Sequence, residues 1–216
     1  MAVVFDFDGV LVDSIAPVTS SINAALIEHG LPARSAQQLR RLIGPPTFSA
    51  FSELLGEPPD SPRVAAVVAT YRANYEAVYM TATRVFDGVP ELLEELARHH
   101  ALAVATSKSS DFAQPLLDAL ALSGYFTVVA AADPRTADDD KNAIVARALA
   151  ALGESSGAMV GDRSFDMLAA RAHRLRAIGV GWGIGDAEEL LAAGAETIAQ
   201  TPADLLALLV DDARAL

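Results

Sequence analysis

Four apolar residues, Ala2-Val3-Val4-Phe5, run straight into Asp6-Phe7-Asp8-Gly9-Val10. A strand with no polar position on either face belongs in the middle of a sheet, covered on both sides. The pattern therefore predicts a central strand that delivers two carboxylates at its C-terminal end, where ligands bind in open α/β sheets. Asp and Gly are also common turn residues, so this stretch alone admits a plain strand-to-turn reading as well.

From Ile15 the period changes. Ile22, Ala25, Leu26 and His29 recur at helical spacing before Gly30-Leu31-Pro32 stops the run, and further helices are expected over Ala36 to Leu42, Phe48 to Leu55 and Pro62 to Tyr79. Gly44-Pro45-Pro46 breaks this stretch as either an interhelical turn or a substrate-facing loop. After Val85-Phe86-Asp87-Gly88 the chain turns back, with Pro90 expected at the first position of a helix over Glu91 to Arg98. Strands are predicted at Ala101 to Thr106, Thr127 to Ala131, Ala158 to Gly161, Arg176 to Val180 and Thr197 to Ala199. Helices are predicted from near Asp111, over Lys141 to Leu152, Ser164 to His173, Ala187 to Ala193 and Pro202 to Asp212. This alternation argues for a parallel sheet with helices on both faces. The expected fold is α/β, with a Rossmann-like parallel core from residues 1–14 and 81–216 and an inserted all-α cap from residues 15–80.

Composition narrows the function. The 216 residues suit one large domain or a core with a small insert, and the absence of cysteine excludes disulfides, thiolate metal sites and a cysteine nucleophile. A net charge of −12 disfavours a nucleic-acid groove. No apolar run approaches a membrane span and no basic leader precedes the first strand, so a cytoplasmic protein without membrane partners is expected, as a monomer or homodimer. Of the 16 basic residues only Lys108 and Lys141 are lysines. A lysine in a chain that otherwise uses arginine suggests a place for a compact ammonium.

Both lysines fall near strand or helix ends that carry polar residues: Thr106-Ser107-Lys108, Lys141 before Asn142, and Gly161-Asp162-Arg163-Ser164-Phe165-Asp166. If these ends share one sheet edge they face Asp6 and Asp8, as phosphoryl transfer requires. A hard cation such as Mg²⁺ takes carboxylate, water and phosphate oxygens, and it would offset the repulsion between a carboxylate nucleophile and an anionic phosphate. Thr106 and Lys141 are suited to the equatorial oxygens, while two carboxylates divide attack and proton transfer.

In order and spacing these four segments resemble the four motifs of the haloacid dehalogenase superfamily, and the helical insert resembles the small cap of its phosphoglycolate phosphatase-like branch, which includes 5′-nucleotidase-like members. The resemblance implies a Mg²⁺-dependent phosphatase acting on a small phosphomonoester. Asp6 would become an aspartyl phosphate, and Asp8 would protonate the leaving oxygen and then activate water. Thr106 and Lys141 would bind the transferring group, beside Gly9, Ser107 and Lys108. Asp162 would hold Mg²⁺ with Asp6 and the Asp8 backbone carbonyl, and Asp166 would help through water. Cap arginines Arg40 and Arg41 are candidates for a second anionic group of the substrate.

Several competing readings remain. Lys141 follows Asp138-Asp139-Asp140 and on charge patterning alone reads as a solvated residue, the competing reading of Lys108 is a surface charge, and that of Asp166 a helix cap or a pair with Arg163, itself expected to be structural. The alternatives in function are a β-phosphoglucomutase-like sugar phosphomutase and a catalytically silent binding protein on the same fold. Dehalogenation is disfavoured by Asp8, and Schiff-base chemistry by a cap without lysine.

Overall fold

Every residue of β1 (Ala2–Phe5) is buried, as a strand without a polar face requires. The computed structural model describes residues 1–133 and 139–214. Within them the other strands are β2 (Val12–Asp13), β3 (Arg84–Val85), β4 (Ala101–Ser109), β5 (Val128–Ala132), β6 (Gly157–Gly161), β7 (Arg176–Val180) and β8 (Thr197–Ala199). The helices are α1 (Ile15–Glu28), α2 (Ala36–Arg40), α3 (Thr47–Leu55), α4 (Pro62–Glu76), α5 (Tyr79–Ala82) and α6 (Val89–Ala97). They continue as α7 (Ser110–Ala119), α8 (Lys141–Leu152), α9 (Ser164–Ala172), α10 (Ala187–Ala193) and α11 (Pro202–Arg214).

Among the described residues, six strands form a parallel sheet in the order β5-β4-β1-β6-β7-β8, with Val3 opposite both Leu102 and Ala158. Alternate residues of β1 serve opposite faces. Val3 and Phe5 pack with Leu102 and Val160 in a cluster that takes in Leu93 and Leu96 of α6 and Leu205 of α11. Ala2 and Val4 pack with Ala103, Ala105 and Met159 against Ile144 and Val145 of α8 and Met167 of α9. The alanines on this second face are small, so α8 lies close to the sheet and its first residue reaches the ends of the strands. The chain steps outward from β1 to β4 and β5, then crosses to β6 and steps outward the other way. That reversal beside β1 is where an open α/β sheet opens a ligand crevice.

Helices α1 to α5 lie between β2 and β3, which pair antiparallel, Val12 with Val85 and Asp13 with Arg84. Their apolar residues, including Ile22, Leu39, Phe51 and Val67, join the cluster that begins at Val3 and Phe5, so one apolar core runs from the sheet into the helical insert. No helix among the described residues is long and apolar enough to cross a membrane.

The α/β expectation holds, with local differences. The helix expected over Pro62 to Tyr79 ends at Glu76, and a separate turn of helix begins at Tyr79. Gly88, at φ +83°, precedes Val89, so Pro90 sits at the second helical position and not the first. Strand β4 continues past Thr106 to Ser109 through an irregular register, and the β2–β3 ribbon was not anticipated.

Candidate active site

The ends of β1, β4 and β6 and the start of α8 converge. Asp6 is 4% exposed, and its Oδ1 accepts the Phe7 N–H at 2.7 Å. Lys141 Nζ lies 2.7 Å from Asp6 Oδ1 and 2.9 Å from Asp166 Oδ1, and donates to the Ala105 carbonyl at 3.0 Å. Its acidic neighbours are used locally: Asp140 caps α8 by accepting the Ala143 N–H, and Asp139 holds Arg147 at 2.7 Å. Lys141 is therefore turned inward and is not part of a solvated charge run. Asp138 lies outside the described residues.

Asp162 follows β6 with no exposed surface. Its Oδ2 accepts the Ile184 N–H at 2.7 Å, while Oδ1 has no hydrogen-bond partner among the described residues. Asp166 Oδ2 accepts the backbone N–H groups of Asp162 and Arg163 at 3.1 and 3.0 Å, which fixes the start of α9. Its Oδ1 meets Lys141 as an ion-pair contact without hydrogen-bond alignment. Glycines make room for these acids. A Cβ on Gly9, at φ +83°, would fall 2.1 Å from Asp162 Oδ2, one on Gly183 2.3 Å from Asp162 Cβ, and one on Gly161 2.1 Å from Asp166 Cβ.

Asp6, Asp162 and Asp166 each bring a carboxylate oxygen to within 4.8 Å of the others. Burial pushes the Asp6 carboxyl up to about 6, against the pull of Lys141 and with a further push from Asp166. Burial, then Asp166 and Asp6, raise Asp162 well above the carboxylate range. Burial alone would lower the Lys141 ammonium, but Asp166 and Asp6 outweigh it and its pKa rises. With Asp8 and Lys108 included, four carboxyl groups face two ammonium groups, an anionic excess whenever all four are ionised, which is the state a bound cation favours. A buried oxygen set with that excess and an unpartnered Asp162 Oδ1 fits a hard divalent cation.

Asp8 Oδ2 lies 3.1 Å from Lys108 Nζ, which also donates to the Tyr75 hydroxyl at 2.7 Å. Burial would lower Lys108, yet Asp8 and the phenols of Tyr75 and Tyr71 raise it. Thr106 is buried, and its Oγ1 accepts the Lys108 N–H at 3.1 Å. Asp6, Asp8, Thr106, Ser107 and Lys108 line one cleft, closed on the far side by residues of α1, α3 and α4 and by Gly44 and Pro45. The buried Ser107 and Ser109 hydroxyls have no hydrogen-bond partner among the described residues.

The remaining candidates are placed differently. Gly9 gives its N–H to the Val12 carbonyl and packs under Asp162, where a side chain would not fit. Arg41 is exposed, pairs with Glu53 at 3.3 Å and does not line the cleft. Arg40 donates to the carbonyls of Gly183 and Ile184 at 3.3 and 3.1 Å. Arg163 answers from the core: it pairs with Glu189 at 3.0 Å and donates to the Ile43 carbonyl. The sequence reasoning missed Tyr75, Glu189 and the loop from Gly181 to Gly185. The alternation Gly181-Trp182-Gly183-Ile184-Gly185 after a strand was the available signal for the loop.

Residues 3–180 match the family model described as Haloacid dehalogenase-like hydrolase. The chain belongs to this family. A 5′-nucleotidase of Pseudomonas aeruginosa is 34% identical over 193 residues, covering 88% of this chain and 86% of the relative. A probable phosphatase, IndB, of Dickeya dadantii is 36% identical over 204 residues, covering 92% and 89%. The crystal structure of a predicted phosphatase from Clostridium acetobutylicum superposes with a TM-score of 0.90 at 29% identity, covering 97% of this chain and 98% of that one. These matches support a phosphoric monoester hydrolase on the haloacid dehalogenase-like fold.

Proposed function

We propose that this haloacid dehalogenase-like hydrolase is a Mg²⁺-dependent phosphatase that cleaves a small phosphomonoester through an aspartyl phosphate on Asp6. Residues 1–14 and 81–216 form the catalytic core, and residues 15–80 the cap over it. The observation that carries the reading is the Asp6 carboxylate: Oδ1 is fixed by the Phe7 N–H and Lys141, while Oδ2 makes no hydrogen bond among the described residues and the side chain lines the cleft.

Asp6 Oδ2 attacks phosphorus, the bond to the leaving oxygen breaks, and Asp8, two residues on, gives that oxygen its proton. Asp8 then takes a proton from water as the water attacks phosphorus, releasing phosphate and restoring the Asp6 carboxylate. Lys141, Thr106 and the unpartnered Ser107 hydroxyl receive the phosphoryl oxygens. Asp6 and Asp162, with the Asp8 carbonyl and Asp166 behind them, would hold Mg²⁺, which supplies positive charge to the phosphate in a site otherwise in anionic excess. The cap over the cleft excludes water during transfer.

Phosphate release from a panel of nucleotides, phosphoglycolate, sugar phosphates and aryl phosphates tests this directly. Activity should require Mg²⁺ and vanish in Asp6→Asn. Mg²⁺ should also raise the Tm of the wild type and not of Asp162→Asn, with a gain of about 2.7 kcal/mol at one hundred times Kd. Full activity in EDTA or in Asp6→Asn would refute the mechanism.

A further inference from the structure

Arg72 of α4 lines the same cleft as Asp6 and Asp8 and is half-buried, with its guanidinium 5.8 Å from the Phe48 ring centroid. Among the described residues no carboxylate lies within ion-pair distance of it and no acceptor receives its hydrogen bonds. Three of the other four arginines in the insert have partners, Arg40 in two carbonyls, Arg41 in Glu53 and Arg63 in Glu57, and the fourth, Arg34, is exposed and does not line the cleft. In a chain of net charge −12, a half-buried guanidinium left without an acceptor and facing a reaction cleft is arranged for an anion that arrives with the ligand.

The wall that shares the cleft with Arg72 is aromatic. Phe51 and Tyr71 are 5.2 Å apart between centroids, Tyr71 and Tyr75 stack at 5.9 Å, and Phe112 meets Tyr75 edge-on at 5.1 Å. Val18, Ile22 and Leu42 complete it with hydrocarbon. Sugar hydroxyls laid against these rings and hydrocarbon side chains would lose hydrogen bonds to water that apolar carbon does not return. A flat ring would cover it with favourable offset or edge contacts.

Resting on the phosphatase reading above, we propose that the leaving group is an aromatic ring bearing an anionic substituent, with the ring against the partly exposed Tyr71 and Phe112, which Phe51 and Tyr75 back from within, and the anion on Arg72. The phosphate of the same molecule meets Asp6.

The test compares kcat/KM for phenyl phosphate, its 2-, 3- and 4-carboxyphenyl analogues and glucose 6-phosphate, in the wild type, Arg72→Met and Arg72→Lys. The wild type should prefer at least one carboxyphenyl ester to phenyl phosphate by about tenfold or more, the scale of one charge-assisted contact. In Arg72→Met that ratio should fall to about one, and Arg72→Lys should recover part of it. Because the readout is a ratio within each variant, a general loss of activity leaves it interpretable, and Arg72→Gln serves if Arg72→Met does not fold. A ratio near one for all three isomers in the wild type, or one that survives Arg72→Met, overturns the proposal. Faster release from glucose 6-phosphate than from every aryl ester also overturns it and leaves the phosphatase reading standing. No release from any ester overturns both.

Discussion

Lys108 Nζ stands 3.1 Å from Asp8 Oδ2, and both side chains are largely buried. The same ammonium is held by Tyr75 of α4, so a residue of the helical insert positions the carboxylate proposed for proton transfer. Removing Lys108 leaves Asp8 desolvated without its counter-charge. Lys108→Met should lower kcat by roughly 10²-fold, the lower range for a misplaced general acid. Tyr75→Phe keeps the ring and loses one charge-assisted bond, and should lower kcat by about tenfold. Steady-state kinetics on the best substrate checks both, and unchanged kcat in Lys108→Met would remove Lys108 from the site.

Gly183 carries no side chain because Asp162 occupies that space. A methyl there would sit 2.3 Å from Asp162 Cβ and 2.6 Å from its Oδ2, and the Ile184 N–H bond to Asp162 would be displaced with the loop. Gly183→Ala should cost about 1–3 kcal/mol of stability by overpacking and shrink the Mg²⁺-induced rise in Tm. Gly124→Ala, where nothing lies within 4 Å, is the control and should behave as wild type.

Arg40 and Arg163 cross the cleft edge in opposite directions, one from the insert to Gly183 and Ile184, the other from the core to Ile43. Arg40→Ala should raise KM and speed limited proteolysis of the insert. Arg41→Ala should change neither, since an exposed pair such as Arg41 with Glu53 contributes only about 0–1 kcal/mol. Equal effects of the two substitutions would argue against a clasp.

His100 is 8% exposed, and burial, followed by the N-terminal ammonium, holds its imidazole below the ordinary 6.5. At this group the unfolded chain therefore binds more protons than the folded one as pH falls, so the stability it contributes is retained above pH 6.5 and declines below it. Asp6 and Asp162, raised by burial, act in the opposite direction over this range. The His100 contribution is therefore read as the difference between wild type and His100→Leu in urea unfolding at pH 7.5 and 5.5, the variant losing less stability on acidification. An unchanged slope in the variant would remove His100 from the pH dependence.

Much of the core was legible because its cues are local. A strand buried on both faces must be apolar throughout, so Ala2 to Phe5 and Ala158 to Val160 announced themselves, and aspartates that interrupt such runs could only mark their ends. The two-residue strands β2 and β3 were missed because two positions carry no period. Arg40 and Arg41 were indistinguishable in sequence, yet one helical step of about 100° turns the first to the Gly183 and Ile184 carbonyls and the second to Glu53.

The sequence by itself determined the alternation of strands and helices, the parallel sheet, and which polar residues stand at the strand ends, since these follow from neighbours two to four positions apart. Only the tertiary structure decided which charges meet. Lys108 finds Tyr75 across 33 positions, Arg40 finds Gly183 across 143, and Arg72 stands in the cleft without an acceptor among the described residues. Such pairings depend on how the insert packs against the core, and no local periodicity encodes that.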